Sequence, residues 1–131
     1  PYIRVKESKF TLSELLGSVD LAKQFEGGSA LIGRLCPTDY HRFHFPIDST
    51  PEASRLINGA LYSVNPIALR VRPTIFYENK RVMTVLREDV VMVEFRATNV
   101  GSIIETFTPG KPYKKGDEKG YFSFGGSALM V

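Results

Sequence analysis

The chain has one cysteine, only two histidines and no long apolar run. The single cysteine, Cys36, excludes an internal disulfide and any zinc site built from several thiolates. Ahead of Pro37 it reads as a small buried apolar side chain. The longest clean apolar stretches, such as Val90-Val91-Met92-Val93, fall far short of the ~20 residues that a membrane-spanning helix needs. No secretory leader pattern opens the chain, and no repeat or low-complexity segment interrupts it. Seventeen basic against fourteen acidic residues leave a net charge of +3. That excess is too small to argue for nucleic acid, though it suits an anionic membrane surface. No Gly-x-Ser-x-Gly elbow and no phosphate-binding glycine loop are present.

What remains is the composition of an ordinary folded domain, 43% hydrophobic and 24% charged over 131 residues. Residues 1–131 read as a single domain, able to bury roughly two-thirds of its unfolded surface. Because the chain opens on Pro1 and stops in an apolar stretch at Val131, a piece truncated at the N-terminus, and at the C-terminus as well, is expected. Tyr2 to Val5 alternates as a strand. Thr11-Leu12-Ser13-Glu14 has the form of a capping box, and a second helical piece runs from Val19 to Phe25. Beyond Gly27-Gly28 strand signals dominate: Ala30 to Leu35, Tyr40 to Phe45, Ala60 to Val64 after the Asn58-Gly59 turn, Arg81 to Leu86, Val90 to Ala97, Val100 to Phe107 and Gly120 to Phe124. Residues 47 to 57 read as an irregular connection, and Lys115-Gly116-Asp117 as a turn. The predicted fold is mainly β with some α: a closed or sandwiched antiparallel sheet of short strands, with one or two short N-terminal helices.

Two segments carry chemistry. His41 and His44 are three residues apart, so on a regular strand they face opposite sides; a bulge would be needed to bring both to one site. Taken alone, the pair also fits one partly buried and one exposed histidine with no chemistry. No third ligand joins them convincingly, and no metal site is expected. Near the end, Gly125-Gly126-Ser127 fits a plain glycine turn entering a strand. It also fits a flexible backbone that presents a serine hydroxyl to the carbonyl before it. Gly101, between two strand signals, suggests close backbone approach.

These pieces fall into a known order. Arg34-Leu35-Cys36-Pro37-Thr38-Asp39-Tyr40-His41-Arg42-Phe43-His44-Phe45-Pro46 resembles the signature block of phosphatidylserine decarboxylases. Gly59-Ala60-Leu61-Tyr62-Ser63-Val64-Asn65, Asn79-Lys80-Arg81-Val82 and Ala97-Thr98-Asn99-Val100-Gly101-Ser102-Ile103 resemble the family's next blocks. Lys115-Gly116-Asp117-Glu118-Lys119-Gly120-Tyr121-Phe122 leads, as in the family, to a Gly-Ser processing site.

The resemblance implies a self-cleaving proenzyme. Ser127 would attack the Gly126 carbonyl, with His44 as base, and the serine remnant would become an N-terminal pyruvoyl cofactor. His41 would assist decarboxylation or return the proton. The implied reaction converts phosphatidylserine to phosphatidylethanolamine and carbon dioxide. The implied partners are the lipid, a membrane surface (bacterial cytoplasmic or mitochondrial inner) and the chain's own cleaved partner, with a homodimer left open. Arg34, Arg42, Arg70 and Arg72 are available for a phosphate. Two departures stand out: Ala128 follows the serine where the family usually has threonine, and no match to the family's upstream acidic motif is found. A free aromatic amino acid as substrate, and an uncleaved non-catalytic homologue, are the alternative readings.

Overall fold

Antiparallel strands build most of the molecule, and two sheets share one core. The computed structural model describes residues 2–5, 8–36, 38–60, 78–97, 102–123 and 127–131. A hairpin of β1 (Tyr2–Val5) and β2 (Ser8–Thr11) leads into α1 (Leu12–Leu16) and α2 (Val19–Gln24). The capping box forms as expected: Thr11 Oγ1 accepts from the Glu14 amide, and the Glu14 carboxylate accepts from the Thr11 amide. Gly17 then ends α1 with φ +67°, a left-handed conformation that costs glycine little.

Five strands form the larger sheet, in the order β3 (Ile32–Leu35), β10 (Ser127–Met130), β7 (Val90–Phe95), β6 (Arg81–Arg87) and β5 (Arg55–Ile57). The smaller sheet has the order β4 (Arg42–His44), β9 (Glu118–Phe122) and β8 (Ile103–Glu105). Neither sheet closes into a barrel. One strand lies where an irregular connection is expected: Arg55–Ile57 pairs with β6 as an edge strand. Its residues do not alternate in polarity, so the pairing has no period-two signature. The expected strand at Ala60 to Val64 lies beyond Ala60 outside the described residues, as do Gly101, Arg70 and Arg72.

The strand β6 is buried along six of its seven residues, which shows that both faces of the large sheet are covered. One face carries Arg81, Met83, Val93, Phe95, Ala128 and Met130, as their cross-strand pairing requires. It packs against the helices. The buried Arg81 guanidinium donates to the carbonyls of Glu14 and Leu15 at 2.6 and 2.8 Å. These are end-of-helix carbonyls without intrahelical donors, so the strand arginine caps α1. Burial pushes Arg81 down to about 10.

The opposite face carries Val82, Thr84, Met92, Glu94, Leu129 and Ser127. It meets the small sheet, and Lys119 on β9 bridges to Glu94 on β7 across the gap. Gly120 makes this layer possible: a β-carbon there would sit 2.3 Å from the Ile104 carbonyl oxygen and 2.6 Å from the Phe43 ring. Phe45 and Tyr113 stack at 4.8 Å beside Phe107 and close one end of the core.

Candidate active site

Ser127 opens β10, where it pairs with Leu35 of β3. Its side chain is wholly buried, and Oγ makes no hydrogen bond. A buried hydroxyl without a partner is uncommon and calls for a reason. By strand alternation, Ser127 points into the layer between the sheets, the side that Glu94 also faces. Gly126, the other half of the expected scissile bond, lies outside the described residues.

The two histidines separate. His41 precedes β4 by one residue, and its carbonyl accepts from the Phe122 amide at 2.9 Å. Its ring stands edge-on to Phe122, with centroids 6.3 Å apart. Nδ1 donates to the Asp39 carbonyl at 2.5 Å, which fixes the ring's orientation. Phe122 is buried in the layer between the sheets, so His41 lies on Ser127's side of the small sheet. His44 lies on the outer side with Arg42 and Glu118. A register shift does fall between Phe43 and His44, as a shared site would require, yet it leaves His44 outward. Nδ1 of His44 stands 3.0 Å from the Gly116 carbonyl, Nε2 stands 2.8 Å from the Tyr40 hydroxyl, and the two rings stack. In the neutral ring the carbonyl can only accept, so Nδ1 carries the proton and Nε2 takes the hydroxyl's hydrogen. The structure therefore brings His41 to the layer that holds Ser127 and leaves His44 fastening the 114–117 turn. Neither imidazole hydrogen-bonds Ser127.

Beside Ser127's layer is a charged cluster that sequence reading passes over. Lys119 Nζ lies 2.5 Å from Glu94 Oε1 and 3.0 and 3.1 Å from the Glu105 carboxylate oxygens. It also lies over the Phe43 and Phe107 rings, 5.4 and 5.1 Å from their centroids. Burial pushes the Glu94 carboxyl up against the pull of Lys119. It pushes Glu105 up to about 8, with the neighbouring Glu94 charge adding to the effect. The signal was present in Val90-Val91-Met92-Val93-Glu94-Phe95: a lone carboxylate in an apolar strand needs a buried partner. Lys119 hid in a charged run that reads as a solvated turn.

On the outer face, Arg42 pairs with Glu118 at 2.5 Å and lies over the Tyr121 ring. Cys36 is only half-buried, where full burial is expected, and Sγ accepts from Arg34 at 3.1 Å. Among the described residues, no group of three or more histidine, cysteine or acidic side chains could hold a metal ion.

The family model described as phosphatidylserine decarboxylase matches residues 2–131. The chain belongs to the phosphatidylserine decarboxylase family. A phosphatidylserine decarboxylase proenzyme of Chlamydia pneumoniae is 49% identical over 131 residues, covering 97% of this chain and 44% of that relative. One from Clostridium novyi is 49% identical over 133 residues, covering 98% of this chain and 45% of the relative. The chain thus spans less than half the length of the curated relatives it matches. Family membership agrees with the motif order from Arg34 to Ser127. It leaves the roles of individual side chains to be argued from their placement.

Proposed function

We propose that this domain is the self-cleaving part of a pyruvoyl-dependent decarboxylase that converts phosphatidylserine to phosphatidylethanolamine and carbon dioxide at a membrane surface. The observation that carries the reading is Ser127: a wholly buried hydroxyl with no hydrogen bond, one residue past Gly126, at the head of a core strand of a chain in this family. A hydroxyl kept dry and unpaired is free to turn on the preceding carbonyl. Oγ forms a bond to the Gly126 carbonyl carbon, the carbon–nitrogen bond breaks, and the proton leaving Oγ is returned to the Ser127 nitrogen. Elimination from the resulting ester frees the Gly126 carboxylate, and hydrolysis releases ammonia. The serine's own carbons fit the prosthetic group because they are its precursor. A pyruvoyl ketone at this position supplies an electron sink for an amine substrate losing carbon dioxide.

In this proposal His44 is the base for cleavage and His41 handles the proton of decarboxylation. For that, His44 must leave Tyr40 and Gly116. Strand alternation favours a second reading with the roles exchanged, because His41 faces Ser127's layer. An imidazole can take and return a proton in either assignment. Arg34, exposed on Ser127's partner strand β3 but opposite Ala128 and so on the other face of the sheet from Ser127, is available for a lipid phosphate. No helix among the described residues is long and apolar enough to cross a membrane.

The test is intact mass of the full-length gene product. Two chains, the smaller blocked at its N-terminus by a ketone, are expected; Ser127→Ala should give one uncleaved, inactive chain. Cleavage in that variant would remove the proposal. His41→Ala should cleave but decarboxylate poorly, and failure to cleave exchanges the histidine roles. Carbon dioxide released from phosphatidylserine vesicles, compared with free tryptophan, separates a lipid from an amino-acid substrate.

A further inference from the structure

Ser127 and Glu94 share one face of neighbouring strands. Leu129 stands opposite Glu94, and Ser127 precedes Leu129 by two residues, so both side chains project to the same side. Diagonal neighbours of this kind have α-carbons roughly 7–8 Å apart, a gap that long side chains can span. Thr84 belongs to the same face, since it pairs with Met92, two residues before Glu94. Three atoms on this face are buried and make no hydrogen bond: Thr84 Oγ1 on β6, Glu94 Oε2 on β7 and Ser127 Oγ on β10. These strands are consecutive in the sheet. One orphaned buried polar atom is uncommon, and three in a row across a sheet form a polar track through an apolar layer. Such a track suits ordered water, which needs two to four polar partners.

We propose that Glu94 is a positioning residue for self-cleavage at Ser127: Lys119 holds one of its carboxylate oxygens, and the other, through ordered water, orients the serine hydroxyl toward the Gly126 carbonyl. This rests on the reading of Ser127 as the cleavage nucleophile. The proton leaving Oγ passes to the histidine that serves as cleavage base as the oxygen–carbon bond forms. It returns to the Ser127 nitrogen as the carbon–nitrogen bond breaks, so no co-reactant is consumed. The groups facing Glu94 are Lys119 from β9 and Glu105 beside it from β8, with Arg96 two residues along its own strand. Glu105, raised to about 8, keeps its proton at neutral pH. Within the cluster Glu94 has the shorter contact to Lys119, 2.5 Å against 3.0 Å for Glu105.

The test uses the full-length gene product, with cleavage followed by intact mass against time after translation. Glu94→Gln keeps the shape and removes the charge. Its cleavage half-time should lengthen about tenfold or more, and Glu94→Asp should recover part of the loss. The rate–pH profile is the discriminating readout: the limb that rises as the Glu94 carboxyl ionises in the parent should disappear in Glu94→Gln. A purely structural role would leave that limb in place. If the single variant does not fold, Glu94→Gln with Lys119→Met carries the test, because it removes both charges together. Parental rate and pH profile in either folded variant would overturn the proposal. A parent that never cleaves, or a Ser127→Ala protein that does, would instead overturn the reading of Ser127 itself.

Discussion

Glu118 and Lys119 are adjacent in sequence, yet they end on opposite faces of the small sheet. Glu118 meets Arg42 at 2.5 Å on the outer face, where the two side chains are 34% and 51% exposed. Lys119 meets Glu94 at 2.5 Å in the core, where both are 0% exposed. The contact lengths are equal and the charges are of the same kinds, but the consequences differ in sign. Outside, Arg42 and then Thr106 hold the Glu118 carboxyl below the usual carboxylate range. Inside, desolvation wins over Lys119 and pushes Glu94 up. The medium around an ion pair, more than its length, decides what the pair does to stability and to proton affinity. A shift in register at β4–β9 separates the two environments, since His44 pairs with Glu118 and Phe43 with Gly120, leaving Lys119 as the extra residue that turns inward.

The sharpest way to break this comparison is to remove one buried partner. Lys119→Met strands two carboxyls in the core and should cost about 3–5 kcal/mol in urea unfolding at neutral pH. Part of that loss should return at lower pH as the carboxyls protonate. Adding Glu94→Gln should recover stability, because the remaining buried groups are neutral. Next in size is Gly120→Ala, which drives a methyl into the Ile104 carbonyl and the Phe43 ring. A cost of about 3 kcal/mol is expected, read as a lower urea midpoint at unchanged slope. A midpoint equal to the parent's would mean that the two sheets can separate locally at little cost.

A smaller effect comes from pH. Glu105 is raised from the ordinary 4.5 to about 8. Between these values the folded state binds more protons than the unfolded one, so stability falls as pH rises through that window. The melting midpoint should decline from about pH 5 to about pH 8, and the decline should flatten in Glu105→Gln. An unchanged slope in that variant would place the titration elsewhere.

Much of the fold is legible locally. The capping box at Thr11, the hairpin turn after Arg87 and the turn at Gly116 follow from nearest neighbours, and each forms where expected. The edge strand at Arg55–Ile57 does not, because only its partner β6 makes it a strand. The candidate site divides in the same way. Ser127 and the histidines stand out because the residue types are rare and the motif order is known. The side to which each histidine points depends on strand alternation and on a register shift, and the shift is set by where Lys119 is buried. A lysine inside Lys115-Gly116-Asp117-Glu118-Lys119 carries no local mark of burial; only pairing with a carboxylate two strands away in sequence gives it one.

The smallest expected effect tests the other half of the comparison. Arg42→Ala removes the guanidinium from Glu118 and from the Tyr121 ring. Glu118 keeps Thr106, whose hydroxyl donates to Oε2 at 3.0 Å, and solvent reaches the oxygen that Arg42 leaves. An exposed pair that water can replace contributes little. The melting midpoint at neutral pH should stay within measurement scatter of the parent's, in low salt and in high salt alike. Because Arg42 depresses the Glu118 carboxyl, whatever it contributes is present above the ordinary carboxylate value of 4.5 and is lost as pH falls below it. Any difference between parent and variant should therefore vanish in acid. A loss in Arg42→Ala as large as that in Lys119→Met would mean that the outer pair is as dry as the inner one, and the contrast between the two faces would not survive it.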